Sequence, residues 1–441
     1  MKERNLQMRV IVHRGTKEIG GTFLELRSGT DRILIDAGYP LFLNNKPIDA
    51  SVVSQDPETL LGLGVLPNIR GLYTWDSPKF DGVVISHAHL DHYGLLRFVN
   101  PEIPIYLSAG TLKLIQLSNL FHIINEIALE NYSVRIFRMY EPFAIGAFRI
   151  MPYLMDHSAF DAAAFEVSSL GKTILYTGDF RSHGRKNICF DMFINKAMKN
   201  ADILFIEGTK LGRQDEEVLT EQELEEQIII GSKGTIGPIL FQSSSQNIDR
   251  LVSFYRAALR LRRIFLVDIY TANVLYELRQ LGNQLPYPSA LYKNIKVFYP
   301  YQLTKKIFDE IGRKYAKRFS LYHISKANLK KQEKNIVMTV RPSMKQDLKR
   351  IGLRNGLFLY SIWHGYRGSD YQKKFEDYLE QAGFAMQFLH TSGHASIADI
   401  EKLIIKLQPK KVVPIHTMAP DSFASITGKV IFVEDGIMLD V

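Results

Sequence analysis

A single cysteine, Cys189, stands alone in 441 residues. It cannot close an intramolecular disulfide and cannot supply a cysteine-rich zinc site, so any bound metal must be held by histidine and carboxylate. Long apolar runs are missing too, and no stretch approaches the roughly 20 residues of a membrane-spanning helix. The opening residues, MKERNLQMRV, are charged and lack the apolar centre of a secretory signal, which makes the cytoplasm the default location and a membrane partner unexpected. There is no fixed-period repeat and no low-complexity tract, so neither a solenoid nor a disordered chain is indicated.

What the sequence does contain suits ordinary folded domains. Hydrophobic residues make up 46% and charged residues 23%, enough apolar surface to build two or three cores without disulfides. The formal net charge of +9 favours contact with polyanions, although charge alone does not separate nucleic-acid binding from solubility. Much of the excess gathers between Lys305 and Lys334. Such a run reads most simply as a solvated helical face. The interleaved Tyr315, Phe319 and Tyr322 keep a second reading open, a surface that tracks a nucleic-acid strand by stacking rings on bases.

Short apolar, β-branched runs repeatedly end in a polar residue: RILI before Asp36, GVVIS before His87, KTILYTG before Asp179, DILFI before Glu207, AMQFL before His390 and KVVPI before His416. These predict strands, while GLLRFVN after His92 and IADIEKLIIKLQ after Ser396 carry the three- and four-residue spacing of amphipathic helices. An α/β layered fold follows, in which the carboxyl ends of strands face a common crevice and can gather these six polar residues. From 213 to 385 the pattern changes. PILFQ, RIFLV and NIVMTV predict buried strands separated by helices such as NIDRLVSFYRAALRL and SDYQKKFEDYLEQ, an open parallel sheet of its own. Three blocks result: a first domain over 1–212, an inserted domain over 213–385, and a return to the first domain over 386–441.

His87, His89, Asp91 and His92 place four metal-binding groups within six residues, a set that is costly to bury together without a cation. If the segment is a tight loop after GVVIS, His87 and His89 approach one ion and Asp91 and His92 a second. Two divalent ions roughly 3.5–4 Å apart can activate a water and neutralise charge on a phosphate under attack. A histidine-rich surface loop is the plain alternative. His157 and Asp179 each follow a strand and could complete the set, Asp179 as a bridge, although each taken singly is more often a satisfied polar residue. Asp36 could orient a ligand or cap a turn before Gly38. Two turns suit phosphate: SSSQNIDR, with Ser244, Ser245 and Asn247, and His390-Thr391-Ser392-Gly393, because hydroxyls and amides at a helix start suit phosphate oxygens. For the first, a helix N-cap at Ser244 or Ser245 explains the serines equally well.

Asp36, His87-Ala-His89-Leu-Asp91-His92, His157 and Asp179, in this order and spacing, resemble the metallo-β-lactamase superfamily. The resemblance implies an αββα sandwich holding two divalent metal ions, zinc first, with manganese or magnesium as alternatives. Glu207 in FIEGT, His394 in HTSGHAS and His416 in VVPIH resemble three further motifs of the β-CASP nucleases, which implies that the inserted block is a β-CASP domain with a mainly parallel sheet. By position, His87, His89, His157 and Asp179 are implied to hold one metal, and Asp91, His92, Asp179 and His416 the other. His394 is implied to assist the leaving group, oriented by Glu207. Histidine suits that proton transfer near neutrality, and a buried histidine in a Gly-rich turn is the plain alternative. The turn from His13-Arg14-Gly15 to Gly20-Gly21 resembles the family's early glycine-rich loop, and a hairpin turn explains it as well.

Glu207 and His416 are the residue types of RNA-directed members, and HTSGHAS with VVPIH is similar to the ribonuclease J group, which degrades RNA from the 5′ end and also cuts internally. After His416 the chain reads Thr-Met-Ala-Pro-Asp-Ser-Phe where that group has Gly-Glu, a departure next to the substrate pocket. The resemblance therefore implies a metal-dependent nuclease acting on RNA, by exonuclease or endonuclease cleavage, with Asp36, Glu207 and His394 in its catalytic group. Single-stranded DNA is a second polymer within reach, and the pattern leaves room for a homo-oligomer. The alternatives are a DNA-directed nuclease of the same superfamily, against which Glu207 and His416 weigh, and a small-molecule ester or lactone hydrolase, which would leave the inserted block and His394 without a purpose.

Overall fold

The computed structural model describes residues 7–43, 46–48, 52, 54–121, 127–213, 218–282 and 284–441. Residues 1–6, the start of the segment read for a signal, lie outside them. The chain divides into two compact units. The first holds Met1–Ser182, Lys186–Glu216 and Gly393–Val441, and the second holds His183–Arg185 and Glu217–Ser392. The second unit extends past the expected boundary at 385 because the strand Ala385–Phe388 pairs in parallel with Leu357–Tyr360 and so stays on that unit's sheet.

The first unit contains a seven-stranded sheet in the order Met438–Asp440, Met8–Arg14, Phe23–Ser28, Asp31–Ile35, Gly82–Val84, Ile105–Ser108, Val134–Phe137. Its second sheet has six strands in the order Lys411–Ile415, Ile203–Glu207, Lys172–Tyr176, Ala163–Ser169, Phe148–Leu154, Phe143–Ile145. Side chains alternate across each strand, and the core shows it. Ile174 and Ile203 join Val10, Leu24 and Ile33 of the other sheet in one buried cluster. Their neighbours Leu175 and Leu204 face the opposite way and pack with Phe190, Phe193, Ile400 and Leu403 from the helices Asn187–Lys196 and Ile397–Leu407. Each such apolar side chain taken from water contributes about 1.5–3 kcal/mol. The helix Ile397–Leu407 starts where Ser396 and Asp399 form a capping box. Ser108 caps the helix Ala109–Leu120, which buries Leu114 and Ile115. The result is the αββα sandwich of the metallo-β-lactamase fold.

GLLRFVN does not form the helix its spacing predicts. Only a single 3₁₀ turn, Leu96–Phe98, is present, because tertiary hydrogen bonds claim the backbone: Leu95 N–H donates to the Ala37 carbonyl at 2.9 Å and Asn100 N–H to that of Leu72 at 2.8 Å.

The second unit is built on six parallel strands in the order Ile295–Phe298, Ile264–Asp268, Ile336–Thr339, Ile239–Gln242, Leu357–Tyr360, Ala385–Phe388. Its central strands Ile336–Thr339, Ile239–Gln242 and Leu357–Tyr360 are buried along their whole length, as expected of a parallel sheet covered by helices on both faces. The helices Ile248–Arg260 and Asp370–Gln381 fall where the sequence predicts them. No helix among the described residues is long and apolar enough to cross a membrane.

Candidate metal centre

Parallel pairing of Asp31–Ile35 with Gly82–Val84 places Asp36 and the His87–His92 segment after neighbouring strand ends. In the other sheet Lys172–Tyr176, Ile203–Glu207 and Lys411–Ile415 also run parallel, and Asp179, Glu207 and His416 lie at or just after their ends. Five of the six strand-end residues named from sequence thus meet in one unit. His390 does not join them, because its strand belongs to the second unit.

Asp36 is fully buried with φ 62°, a left-handed backbone that non-glycine residues rarely adopt. Its partners hold it there. The carboxylate accepts from the Ser86 backbone N–H at 2.7 Å, the Ser86 hydroxyl at 2.8 Å and the Tyr176 hydroxyl at 2.5 Å. It also meets His92 Nδ1 at 2.8 Å, which puts that ring's proton on Nδ1 and directs Nε2 toward Asp179, 3.2 Å away. Asp36 is therefore a positioning residue for His92.

The His87–His92 segment is only partly the loop predicted from sequence. His87–His89 are irregular, but Leu90–Tyr93 makes one helical turn, and the two pairs enter different groups. The early glycines do more than turn a hairpin. Gly21 and Thr22 N–H groups reach the Asp91 carbonyl at 3.1 and 3.3 Å, and a Cβ on Gly38 would stand 1.8 Å from that same oxygen. Only glycine fits there.

Ligand atoms of His87, His89, His157 and Asp179 all lie within 4.8 Å of one another, and so do those of Asp91, His92, Asp179 and His416. Asp179 belongs to both groups. His89 Nδ1 stands 3.1 Å from His87 Nε2 and 3.1 Å from His157 Nε2. His157 Nδ1 faces the Gly393 carbonyl at 2.6 Å, and since a carbonyl only accepts, Nδ1 carries the proton and Nε2 presents a lone pair. The Thr209 hydroxyl stands 2.9 Å from His416 Nδ1, while His416 Nε2 points at Asp91 from 3.2 Å. His416 is itself at φ 51°.

The donor set fits metal. Both oxygens of Asp179 and Nε2 of His92 are buried and make no hydrogen bond, a cost that a shared cation would remove. Burial and the neighbouring imidazoles hold His87 and His157 well below the usual histidine range, and burial holds His89 at about 4. At neutral pH these rings are uncharged and present lone pairs. Burial opposes the charge on Asp91, but His92 and His416 outweigh it and hold the carboxyl at about 2. Asp179 likewise lies well below the carboxylate range, since His416 and His92 outweigh its burial. His92 goes the other way, pushed well above the usual range by Asp179, Asp36 and Asp91 against burial. The centre attracts positive charge.

Beside it, Glu207 is buried and accepts from the Phe180 N–H at 2.9 Å and the Thr209 N–H at 3.3 Å. Its two oxygens stand 3.3 and 3.2 Å from His394 Nδ1. Burial disfavours the imidazolium, yet Glu207 and Asp179 outweigh it and raise His394 to about 9. The His394 side chain is 24% exposed, against 1% for the His87, His92 and His416 rings, so it is open to a bound molecule.

The phosphate-contact candidates Ser244, Ser245, Asn247, His390 and Ser392 all belong to the second unit. The N-cap expected at Ser244 or Ser245 is Asn247, whose side chain accepts from the Arg250 N–H at 3.1 Å. The chain makes a further turn first, in which the Ser244 hydroxyl accepts from Gln246 N–H at 3.2 Å, and Ser245 pairs with Thr271 at 2.5 Å and with Arg341. His183 Nε2 meets the Ser392 carbonyl at 2.8 Å, and Arg250 Nη1 stands 3.5 Å from His390 Nδ1. None of the five enters a His/carboxylate group. The sequence did not single out Ser86, Tyr176 and Thr209; only their position beside strand-end motifs signalled them.

Residues 31–231 match the beta-lactamase superfamily domain, and residues 385–422 match the Zn-dependent metallo-hydrolase RNA specificity domain. The first range contains His87 through Asp179, and the second contains His394 and His416. The chain is 25% identical over 296 residues to Ribonuclease J of Helicobacter pylori, which covers 65% of this chain and 40% of that protein. It is 26% identical over 275 residues to an RNase J-like protein of Methanocaldococcus jannaschii, covering 59% and 57% of the two chains. This chain thus spans about half the length of the curated relatives it matches. A solved structure of a protein of unknown function from Enterococcus faecalis V583 covers 99% of this chain and 100% of its own, with a TM-score of 0.80 at 22% identity, which shows a shared fold.

Proposed function

The chain belongs to the metallo-β-lactamase superfamily as a metal-dependent hydrolase of the β-CASP, ribonuclease J-like kind, and on that premise we propose that it hydrolyses phosphodiester bonds of RNA. Asp179 carries the proposal, as a buried carboxylate with no hydrogen bond that belongs to two ligand groups at once. His87, His89, His157 and Asp179 would hold one divalent ion, and Asp91, His92, Asp179 and His416 the other, with zinc the first choice for such nitrogen and carboxylate donors. When bound, the ions supply Lewis acidity toward a phosphate oxygen and activation of the attacking water.

The remaining tasks fall to the chain itself. Asp36 and Thr209 hold the His92 and His416 rings in the orientation their ligand role requires. His394, charged and partly exposed, donates a proton to the departing oxygen, and Glu207 keeps it charged and aimed. Ser392 and His390 fall within the range matched to the RNA specificity domain, and with Ser244, Ser245 and Asn247 they are assigned to backbone phosphates. RNA is favoured over DNA by that match and by Glu207 and His416.

The test is digestion by the metal-loaded full chain of one end-labelled RNA, the matching single-stranded DNA and a chromogenic ester. RNA cleavage that a chelator stops is expected. Rapid ester hydrolysis with RNA left intact would overturn the proposal. Products resolved by length report the mode, since mononucleotides mark exonuclease action and discrete fragments endonuclease action.

A further inference from the structure

The stretch Tyr301–Lys334 holds ten Lys and Arg against three Asp and Glu, a net +7 in a chain of net +9. Within it the rings marked from sequence are largely taken up by packing: Phe319 is fully buried, and Tyr315 lies beside Lys314 and Arg318 at 5.1 and 4.8 Å from its centroid. Other rings face solvent. The helix Tyr301–Lys306 runs directly into a π turn, Ile307–Ile311, and Tyr301, Thr304, Lys305 and Phe308 fall on one face at i, i+3, i+4 and i+7. Ile307 is buried beneath, yet Tyr301 is 57% and Phe308 39% exposed.

With Tyr299 and Lys326 this face lines a surface pocket of about 310 Å³, at the small end for ligand pockets. Arg350 stands 5.8 Å from the Tyr301 ring centroid and Arg313 5.6 Å from that of Phe308, so each exposed ring already has a cation at hand. Asp347 is occupied by Lys326 at 2.6 Å, and Lys305 has no acidic partner among the described residues. Another pocket of this unit, about 420 Å³, differs in that its Arg256 and Arg260 are neutralised by Glu225 at 3.1 and 3.6 Å.

We propose that the Tyr301–Phe308 pocket is a second nucleic-acid contact, where the two rings stack on unpaired bases of a single-stranded RNA and Lys305 meets the phosphate between them. Exposed rings give stacking that tolerates any base, and unpaired lysines give the phosphate term, the two ingredients of single-strand binding. Naming RNA as the occupant rests on the proposed function, whereas the pocket's chemistry requires only a single strand and no cleavage.

Fluorescence anisotropy of a labelled oligouridylate, with the full chain in chelator so that the probe stays intact, tests this directly. The double variant Tyr301→Ala/Phe308→Ala is expected to bind at least about tenfold more weakly while melting at the parental temperature. Tyr301→Phe keeps the ring and retains parental affinity, and Lys305→Ala lowers the slope of log K against log salt by about 0.7. Parental affinity in the double variant overturns the pocket and leaves the nuclease proposal standing, and loss of affinity in Tyr301→Phe overturns stacking. A parent that binds through these rings but cleaves no RNA upholds the pocket and removes the nuclease. If the double variant changes sedimentation while RNA affinity stays parental, the face is a protein contact and the pocket proposal falls.

Discussion

Arg250, fully buried in the second unit, makes a hydrogen bond from each of its nitrogens, whereas Asp179, buried in the first, accepts a hydrogen bond at neither oxygen. The guanidinium of Arg250 donates to Glu221, to the Ser361 carbonyl at 2.9 Å and hydroxyl at 2.6 Å, and to the Thr391 carbonyl at 3.1 Å. Glu221 accepts in turn from the Ser253 hydroxyl at 2.7 Å. Such a closed network ties strands and loops of one unit together and asks for nothing from outside. The His and Asp groups of the first unit have rings held in place by Asp36, Thr209 and Gly393, but their inward atoms face only one another. Buried charge by itself therefore marks no function here. A buried charge with its orienting bonds made and its inward bonds unmade does.

The comparison breaks most visibly at Asp179. Asp179→Ala is expected to lower RNA cleavage more than about a thousandfold and to reduce the metal content of the purified protein measured by plasma emission. Full metal loading in that variant would mean the two groups are not joined through Asp179. His394→Ala comes next, with cleavage down about 10²- to 10⁴-fold and metal content unchanged. His394 also stands near Asp179, Glu207 and His416, so a loss of metal in step with the rate would make it a ligand instead of a proton donor.

On the other side, Arg250→Ala leaves Glu221 buried without its counter-charge and should lower unfolding stability by about 3–5 kcal/mol in urea titration. Metal stoichiometry should stay parental, and a change in it would show that the two networks are coupled. The smallest effect is expected at Thr209→Val, which removes the hydroxyl facing His416 Nδ1. Metal affinity should fall about 10- to 100-fold in competition with a chromogenic chelator, with stability almost unchanged. No fall would leave the His416 ring held by its strand end alone.

Much of the site was legible because its grammar is local. An apolar run that stops at a polar residue predicts a strand end, and Asp36, His87, Asp179, Glu207 and His416 are found there. The same grammar did not reveal that His390 follows a strand of the other unit's sheet, because a strand end does not show which sheet its strand joins. GLLRFVN failed as a helix because hydrogen bonds to Ala37 and Leu72 outweighed its spacing. Phe319 proved buried while Tyr301 and Phe308 are exposed, since a run of lysines marks a surface without saying which aromatics share it.

By itself the sequence determined the α/β class, the donor atoms available to a metal once cysteine was excluded, and the family, because these depend on residue types and short spacings. Only the tertiary structure decided that His390 enters neither ligand group. It also decided that Arg250 is satisfied while Asp179 is not. Those facts depend on which atoms meet across more than 100 residues of chain, where hydrogen bonds and burial are shared between segments that carry no record of one another.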